Sequence, residues 1–216
     1  MKRAARAQFE VWAESYDRFL LSRLLFEPSH RAMVQELVRG AGGCRGEGGD
    51  LLDVGCGTGS LVLMAVGTEV VGRGVGLDYA LRMCRAAERK ARQAGLEGAA
   101  GFVRGDSEHL PFGSSRFDVV TCSNSFHHYP RQGAALAEMR RVLRPGGRLL
   151  LVDGFRDNVI GWMVFDVCVG LLEGRVHHLA WREAREAFAR AGFIDIYQRK
   201  LMVWLPLLLT VGRVPA

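Results

Sequence analysis

From Asp50 onward the chain alternates short apolar runs with amphipathic stretches. The runs are Leu51–Val54, Val75–Leu77, Gly101–Val103, Phe117–Cys122 and Arg148–Val152, and between several of them lie stretches of helical periodicity such as Ala80–Ala94 and Gln132–Leu143. Continuous apolar runs alternating with amphipathic helices predict parallel strands covered on both faces. After Asp153 the alternation pauses for a largely apolar segment, Val159–Leu172, then resumes with a helix over Ala180–Ala191 and two further runs, Phe193–Tyr197 and Met202–Leu209. Two closing strands separated by a short turn pair antiparallel. The pattern therefore predicts an α/β, doubly wound, mostly parallel seven-stranded sheet with an antiparallel last strand. Ahead of the sheet, residues 4–26 place Phe9, Trp12, Ala13, Tyr16, Phe19 and Leu20 on one helical face. A second helix is expected over 29–39, with Ser29 as its N-cap after Pro28. Gly40 to Gly49 reads as a glycine-rich hinge.

Composition narrows the function classes. A chain of 216 residues suits one α/β domain, and 49% hydrophobic with 24% charged residues excludes disorder. The apolar stretch Leu201–Val211 contains Pro206 and is shorter than the ~20 residues of a membrane-spanning helix. Near the N-terminus Glu10, Glu14 and Asp17 interrupt any apolar core of a secretory signal, so a cytoplasmic protein is expected. Cys44, Cys56, Cys84, Cys122 and Cys168 are odd in number and include no CxxC pair, which points to reduced thiols and to no metal site. The net charge is +6, but all except three of the 29 basic residues are arginines and they are scattered, so no nucleic-acid partner is expected.

The sharpest chemical signal is Leu51-Leu52-Asp53-Val54-Gly55-Cys56-Gly57-Thr58-Gly59-Ser60, a buried strand running into a glycine-rich turn and then a helix. Such glycines let a ligand approach the main chain. Asp53, two residues before the first glycine, suits an ammonium group better than a pyrophosphate, which it would repel. Asp78 ends the next strand, where a carboxylate can accept hydrogen bonds from ribose hydroxyls.

With these residues the chain resembles the class I S-adenosylmethionine-dependent methyltransferases, particularly the small-molecule branch that includes the ubiquinone/menaquinone C-methyltransferases. The resemblance extends over most of residues 9–200. It includes Phe9-Glu10-Val11-Trp12-Ala13-Glu14-Ser15-Tyr16-Asp17, Gly76-Leu77-Asp78-Tyr79-Ala80, Gly105-Asp106-Ser107-Glu108-His109-Leu110-Pro111-Phe112, Phe117-Asp118-Val119-Val120 and Glu138 to Arg148. It implies a Rossmann-like fold and S-adenosylmethionine as cofactor. By that resemblance Asp53, Gly55, Cys56 and Gly57 hold the methionine end, Asp78 takes the ribose, and Tyr79 and Met83 flank the adenine. Asp106 accepts from the adenine amino group, with Ser107 and Ser123 nearby. Tyr16 either closes over the cofactor or is a core aromatic. The organisation expected is a single domain over 1–216: a helical lid (1–39), a cofactor-binding core (50–153), an apolar substrate cap (154–179) and a closing helix with strands (180–216).

Methyl transfer from a sulfonium requires alignment, and a base only where the nucleophile must lose a proton. Ligands bind beyond the carboxyl ends of parallel strands, and after the fourth run stands Ser123-Asn124-Ser125-Phe126-His127-His128-Tyr129-Pro130. His127 and His128 are candidate bases, or else shape this loop. A motif of Asn or Asp, two prolines and an aromatic residue is absent here, which argues against methylation of nucleobase amino groups. Cys122 is not preceded by proline, which weakens a thiolate mechanism at cytosine. The cysteines also lack the clustering arsenite methylation needs. The apolar segment Val159–Leu172 faces a greasy acceptor, the core or a second copy of the chain. A small, lipophilic acceptor is expected, and a homodimer and transient contact with a membrane surface stay open. A second pair, His177 and His178, either lines the same pocket or is a solvated turn. Two rival readings remain: an NAD(P)-dependent dehydrogenase, disfavoured by Asp53, the GxGxG spacing and the lack of an evident Tyr-x-x-x-Lys pair, and a cofactor-binding interaction protein without catalysis.

Overall fold

A computed structural model of the chain describes residues 20–40, 48–68, 70–155, 177–201 and 206–216. Within them the order is α1 (Leu20–Arg39), β1 (Gly49–Val54), α2 (Ser60–Val66), β2 (Val71–Asp78), α3 (Leu81–Gln93), β3 (Ala100–Arg104), β4 (Phe117–Ser123), a single 3-10 turn (Phe126–His128), α4 (Gln132–Val142), β5 (Leu143–Gly154), α5 (Trp181–Arg190), β6 (Ile194–Lys200) and β7 (Leu207–Arg213). The seven strands form one sheet in the order β3-β2-β1-β4-β5-β7-β6. All pairs from β3 to β5 are parallel, and β7 runs antiparallel to both its neighbours.

The apolar runs are continuous because both faces of each central strand are covered. Leu52, Val120, Leu149 and Leu151 point to one side, where Leu136 and Met139 of α4 and Phe188 of α5 meet them. Their sequence neighbours Leu51, Val119, Leu150 and Val152 point to the other side, against Met33 and Leu37 of α1 and Leu61 and Val62 of α2. This period of two, buried on both sides, is what a doubly covered parallel strand requires. The chain leaves β1 toward β2 on one side and enters β4 on the other, so a crevice opens beyond the carboxyl ends of β1 and β4.

Three expectations change. The break before Ser29 does not occur: α1 runs unbroken through Pro28, and Ser29 is fully buried inside it rather than capping a new helix. Proline forfeits one helical hydrogen bond, and burial of Met33 and Leu37 against the sheet holds the helix beyond it. The last strand, expected over Met202–Leu209, is described as Leu207–Arg213: it runs beyond Leu209 and starts directly after Pro206, which has no N–H to give a ladder, while residues 202–205 lie outside the described residues. The strand expected from Arg148 begins earlier, at Leu143, with an irregular register over the Pro145-Gly146-Gly147 bend. Of the helix expected over 4–26, residues 20–26 form the start of α1, whereas residues 4–19, with Tyr16, and the apolar segment Val159–Leu172 lie outside the described residues. Among the described residues no helix is long and apolar enough to cross a membrane.

The α5 side of the core rests on Phe188, 1% exposed, whose ring centroid lies 5.2 Å from that of Phe193. Phe188→Ala is expected to lower the unfolding free energy by about 3–5 kcal/mol, read as a fall in the urea midpoint with an unchanged slope. A loss below about 1 kcal/mol would mean that α5 is not part of the cooperative core.

Candidate functional site

The glycine turn is pinned across the end of β2. Gly55 N and Cys56 N both donate to the carbonyl of Leu77, at 2.8 and 3.0 Å, and Gly57 N donates to Asp78 Oδ2 at 2.9 Å. Gly55 has φ +78°, and a Cβ there would overlap Ser125 Oγ and the Tyr129 hydroxyl. Gly57 also has positive φ, but a Cβ on it would meet nothing within 4 Å. The first glycine is therefore required by the protein's own packing. The second leaves bare backbone facing open space, as close ligand approach demands.

That space is a cavity of about 600 Å³, within the range of small-molecule sites. Asp53 and Gly55–Thr58 form one wall; Asp78, Tyr79, Ala80 and Met83 form the next. Asp106 and Ser107 close it on the β3 side, and Ser123–Ser125 with His128–Pro130 on the β4 side. Phe26, Glu27 and His30 of α1 come over the top. The structure thus gathers Asp53, Gly55, Cys56, Gly57, Asp78, Tyr79, Met83, Asp106, Ser107, Ser123 and His128 around one cavity. Tyr16 falls outside the described residues.

The two acids beside the glycine turn differ. Asp53 is 2% exposed. Burial raises its carboxyl to about 7 against the opposing hydrogen bond from Thr121 Oγ1 at 2.8 Å, and the Asp78 charge raises it further. Asp78 accepts from Gly57 N at one oxygen and from Ala80 N, at 2.8 Å, at the other, and a carboxylate has room for further donors. Asp106 Oδ1 accepts from Glu108 N at 3.0 Å. Buried Glu108 takes Arg131 N and Nε, tying this loop to the start of α4. Burial pushes the thiols of Cys56, Cys84 and Cys122 up, the last two to about 12, so none is a thiolate nucleophile near neutral pH.

The histidine pair is split by the 3-10 turn that carries it. His128 lines the cavity; His127 does not. His127 is buried, with Nδ1 2.6 Å from Asp153 Oδ1, and its backbone N donates to Asp153 Oδ2 at 2.8 Å. The two imidazole centroids are 4.1 Å apart. The second pair divides likewise: His177 is exposed, whereas His178 is buried and stacks on His127 at 4.3 Å. Burial favours the neutral form of Asp153, but the charge and hydrogen bond of His127, together with His178 and Gly154 N, hold its carboxyl below the ordinary value. Sequence reasoning missed Asp153, although its place at the carboxyl end of β5 is a usable signal. It also missed Phe26, Glu27 and His30, and Lys90, whose Nζ reaches Ser60 Oγ at 2.8 Å beside the cavity.

Residues 52–151 match the family model described as a methyltransferase domain. A demethylmenaquinone methyltransferase of Listeria welshimeri is 34% identical over 117 residues, 54% of this chain and 49% of that protein. The corresponding protein of Thermus thermophilus is 42% identical over 107 residues, 48% of this chain and 46% of that one. The chain thus spans about half the length of these curated relatives. Among solved structures, a Haloferax volcanii methyltransferase in complex with a methyltransferase activator superposes with a TM-score of 0.78, covering 96% of this chain and 98% of that one at 24% identity.

Asp53 gives the ligand-free protein a characteristic pH dependence. Its ordinary value is 3.8 and its folded value about 7. Between them the folded state holds a proton that the unfolded state has lost, so stability falls as pH rises through that window. Asp53→Asn removes this loss, and the variant is expected to be more stable at pH 8, by about 4 kcal/mol at most at 1.36 kcal/mol per pKa unit. Thermal unfolding at pH 4 and pH 8 checks this: the advantage grows with pH, and one that stays equal at both values contradicts it.

Proposed function

We propose that the chain is a class I S-adenosylmethionine-dependent methyltransferase, a reading supported by the methyltransferase-domain match over residues 52–151 and by its curated relatives, and that it transfers a methyl group from S-adenosylmethionine to a small hydrophobic acceptor of the quinol or phenol kind. A nicotinamide dehydrogenase is not favoured by the methyltransferase-domain match. The observation that carries the reading is the pairing of buried Asp53 and Asp78 across a glycine turn whose Gly57 opens on empty space. The residues fit the cofactor. Asp53, raised by burial to about 7, is drawn toward its charged form when an ammonium group lies beside it. Asp78 keeps acceptor capacity for a ribose diol, Tyr79 and Met83 offer apolar surface to a base, and Asp106 can accept from an exocyclic amine.

When bound, the cofactor would supply a sulfonium methyl, to whose carbon the acceptor atom would bond in line as the carbon–sulfur bond breaks and the neutral thioether leaves. The chain contributes alignment and exclusion of water: α1 covers the cavity through Phe26 and His30, and the turn after β4 holds the acceptor side. His128, the histidine of the pair that lines the cavity, takes the acceptor's proton at a ring nitrogen. His127, held by Asp153, backs it and sets the position of the turn. A lipophilic acceptor is supported by the apolar segment Val159–Leu172 and by the quinone substrate that the relatives' names carry. With this reading go a single domain with lid and cap as delimited above, and a cytoplasmic location.

Calorimetric titration with S-adenosylhomocysteine, with NADH as control, tests the cofactor. Micromolar binding of the former alone is expected, at least tenfold weaker in Asp78→Ala; preference for NADH would overturn the reading. His128→Ala is expected to lower turnover of a phenolic or quinol acceptor by about 10²–10⁴-fold with S-adenosylhomocysteine affinity kept within a few-fold. Unchanged turnover would remove His128 as the base.

A further inference from the structure

Behind the cavity wall, three side chains from separate parts of the chain converge. His127 sits on the turn after β4, Asp153 at the carboxyl end of β5, and His178 on the segment entering α5. None lines the cavity. Their relative exposures are 6%, 8% and 4%, and one potential ligand atom from each lies within 4.8 Å of the others. From this juxtaposition we propose that His127, Asp153 and His178 form a site for one divalent transition-metal ion, with zinc or cobalt(II) the fitting class.

The donor set suits such an ion. Two imidazoles and one carboxylate are borderline ligands, preferred by zinc and its neighbours over magnesium or calcium, which seek oxygen shells. One carboxylate buried beside two imidazoles also presents a single negative charge to a dication. Geometry brings the atoms close to what one ion needs. His178 Nδ1 stands 3.7 Å from Asp153 Oδ1, and His127 Nδ1 stands 2.6 Å from it. Ligands on one tetrahedral ion with bonds of about 2.0–2.1 Å keep roughly 3.3 Å from each other. An entering ion therefore parts the His127–Asp153 pair by less than an ångström and draws His178 in by a similar amount. The two imidazoles, stacked at an interplanar angle of 30°, already present their edges side by side.

The scaffold around the three is built in the way metal ligands are held by a second layer of hydrogen bonds. Asp153 Oδ2 accepts from His127 N and Oδ1 from Gly154 N, both at 2.8 Å. His177 N donates to the carbonyl of His127 at 2.9 Å. Gln132 Nε2 clasps both strands of this contact, donating to the carbonyls of His177 at 2.8 Å and Phe126 at 3.2 Å. Backbone thus locks the two histidine segments to each other and to the end of β5 before any ion arrives. Three protein ligands leave one position of a tetrahedral ion for water. The ion would act as a clasp that ties the approach to α5 to the turn bearing His128, and so would hold one wall of the cavity.

The test does not depend on methyl transfer. The full chain, stripped with a chelator and dialysed, is titrated with cobalt(II) alone while visible ligand-field absorption is recorded. One equivalent per chain is expected, displaced by zinc. His178→Ala and the milder His178→Gln are each expected to weaken cobalt binding at least tenfold while keeping a cooperative melting transition. His177→Ala, at the exposed neighbour, leaves binding unchanged. Absence of a one-to-one complex, cobalt affinity in both His178 variants equal to that of the unaltered chain, or a loss in His177→Ala as large as theirs would overturn the assignment.

Discussion

Three consecutive backbone amides set the position of everything else in the site. Gly55 N and Cys56 N share the Leu77 carbonyl and Gly57 N takes the Asp78 carboxylate, so the end of β1 is folded over the end of β2. This contact draws Asp53 and Asp78 onto one cavity and turns the chain into α2. It also forces the backbone into the left-handed region at Gly55, where side chains from the β4 loop leave no room for a Cβ. The crevice at this switch point is a property of any sheet wound in both directions. The amide cluster makes it a ligand site.

Much of this was legible because it is local. Leu51 and Leu52, Val119 and Val120, and the run Leu149–Val152 alternate between two buried faces, and a strand buried on both sides shows as an uninterrupted apolar run. The glycine turn and the acids at the strand ends are likewise sequence-near features, and ten of the eleven expected cofactor residues line the cavity. The eleventh, Tyr16, lies outside the described residues.

What was not legible depended on tertiary contact. Pro28 followed by serine reads as a helix boundary, yet packing of Met33 and Leu37 carries α1 through it. The apolar run from Leu201 has no internal alternation to set its register, and Pro206 decides where β7 starts. His127 and His128 look equivalent as a dipeptide. On a 3-10 turn adjacent side chains diverge, and one meets the cavity while the other meets Asp153. Asp153 and His178 could not be paired from sequence at all, since nothing in their spacing announces a shared site. Cysteine spacing, on which the expectation of no metal site rested, carries no information about the histidines that the fold places beside Asp153.

The buried acids also distinguish two kinds of site within one sheet edge. Asp53 is raised to about 7 because burial dominates and its other charged influence is the like charge of Asp78. Asp153 is just as deeply placed, yet it is held below its ordinary value because His127 and His178 come with it. Burying a carboxylate without a cation is costly, and the group stays neutral until one arrives. Asp53 has no cation among the causes that set its carboxyl, and it faces the cavity rather than a partner within the protein. Asp153 has its partners in the chain, which is the behaviour of an acid that organises protein. The adjacent His127 and His128 join the two: one imidazole belongs to the Asp153 cluster and the other to the cavity, 4.1 Å away. Whatever fixes the cluster fixes the placement of His128, so the precision of this wall of the cavity depends on residues that never line it.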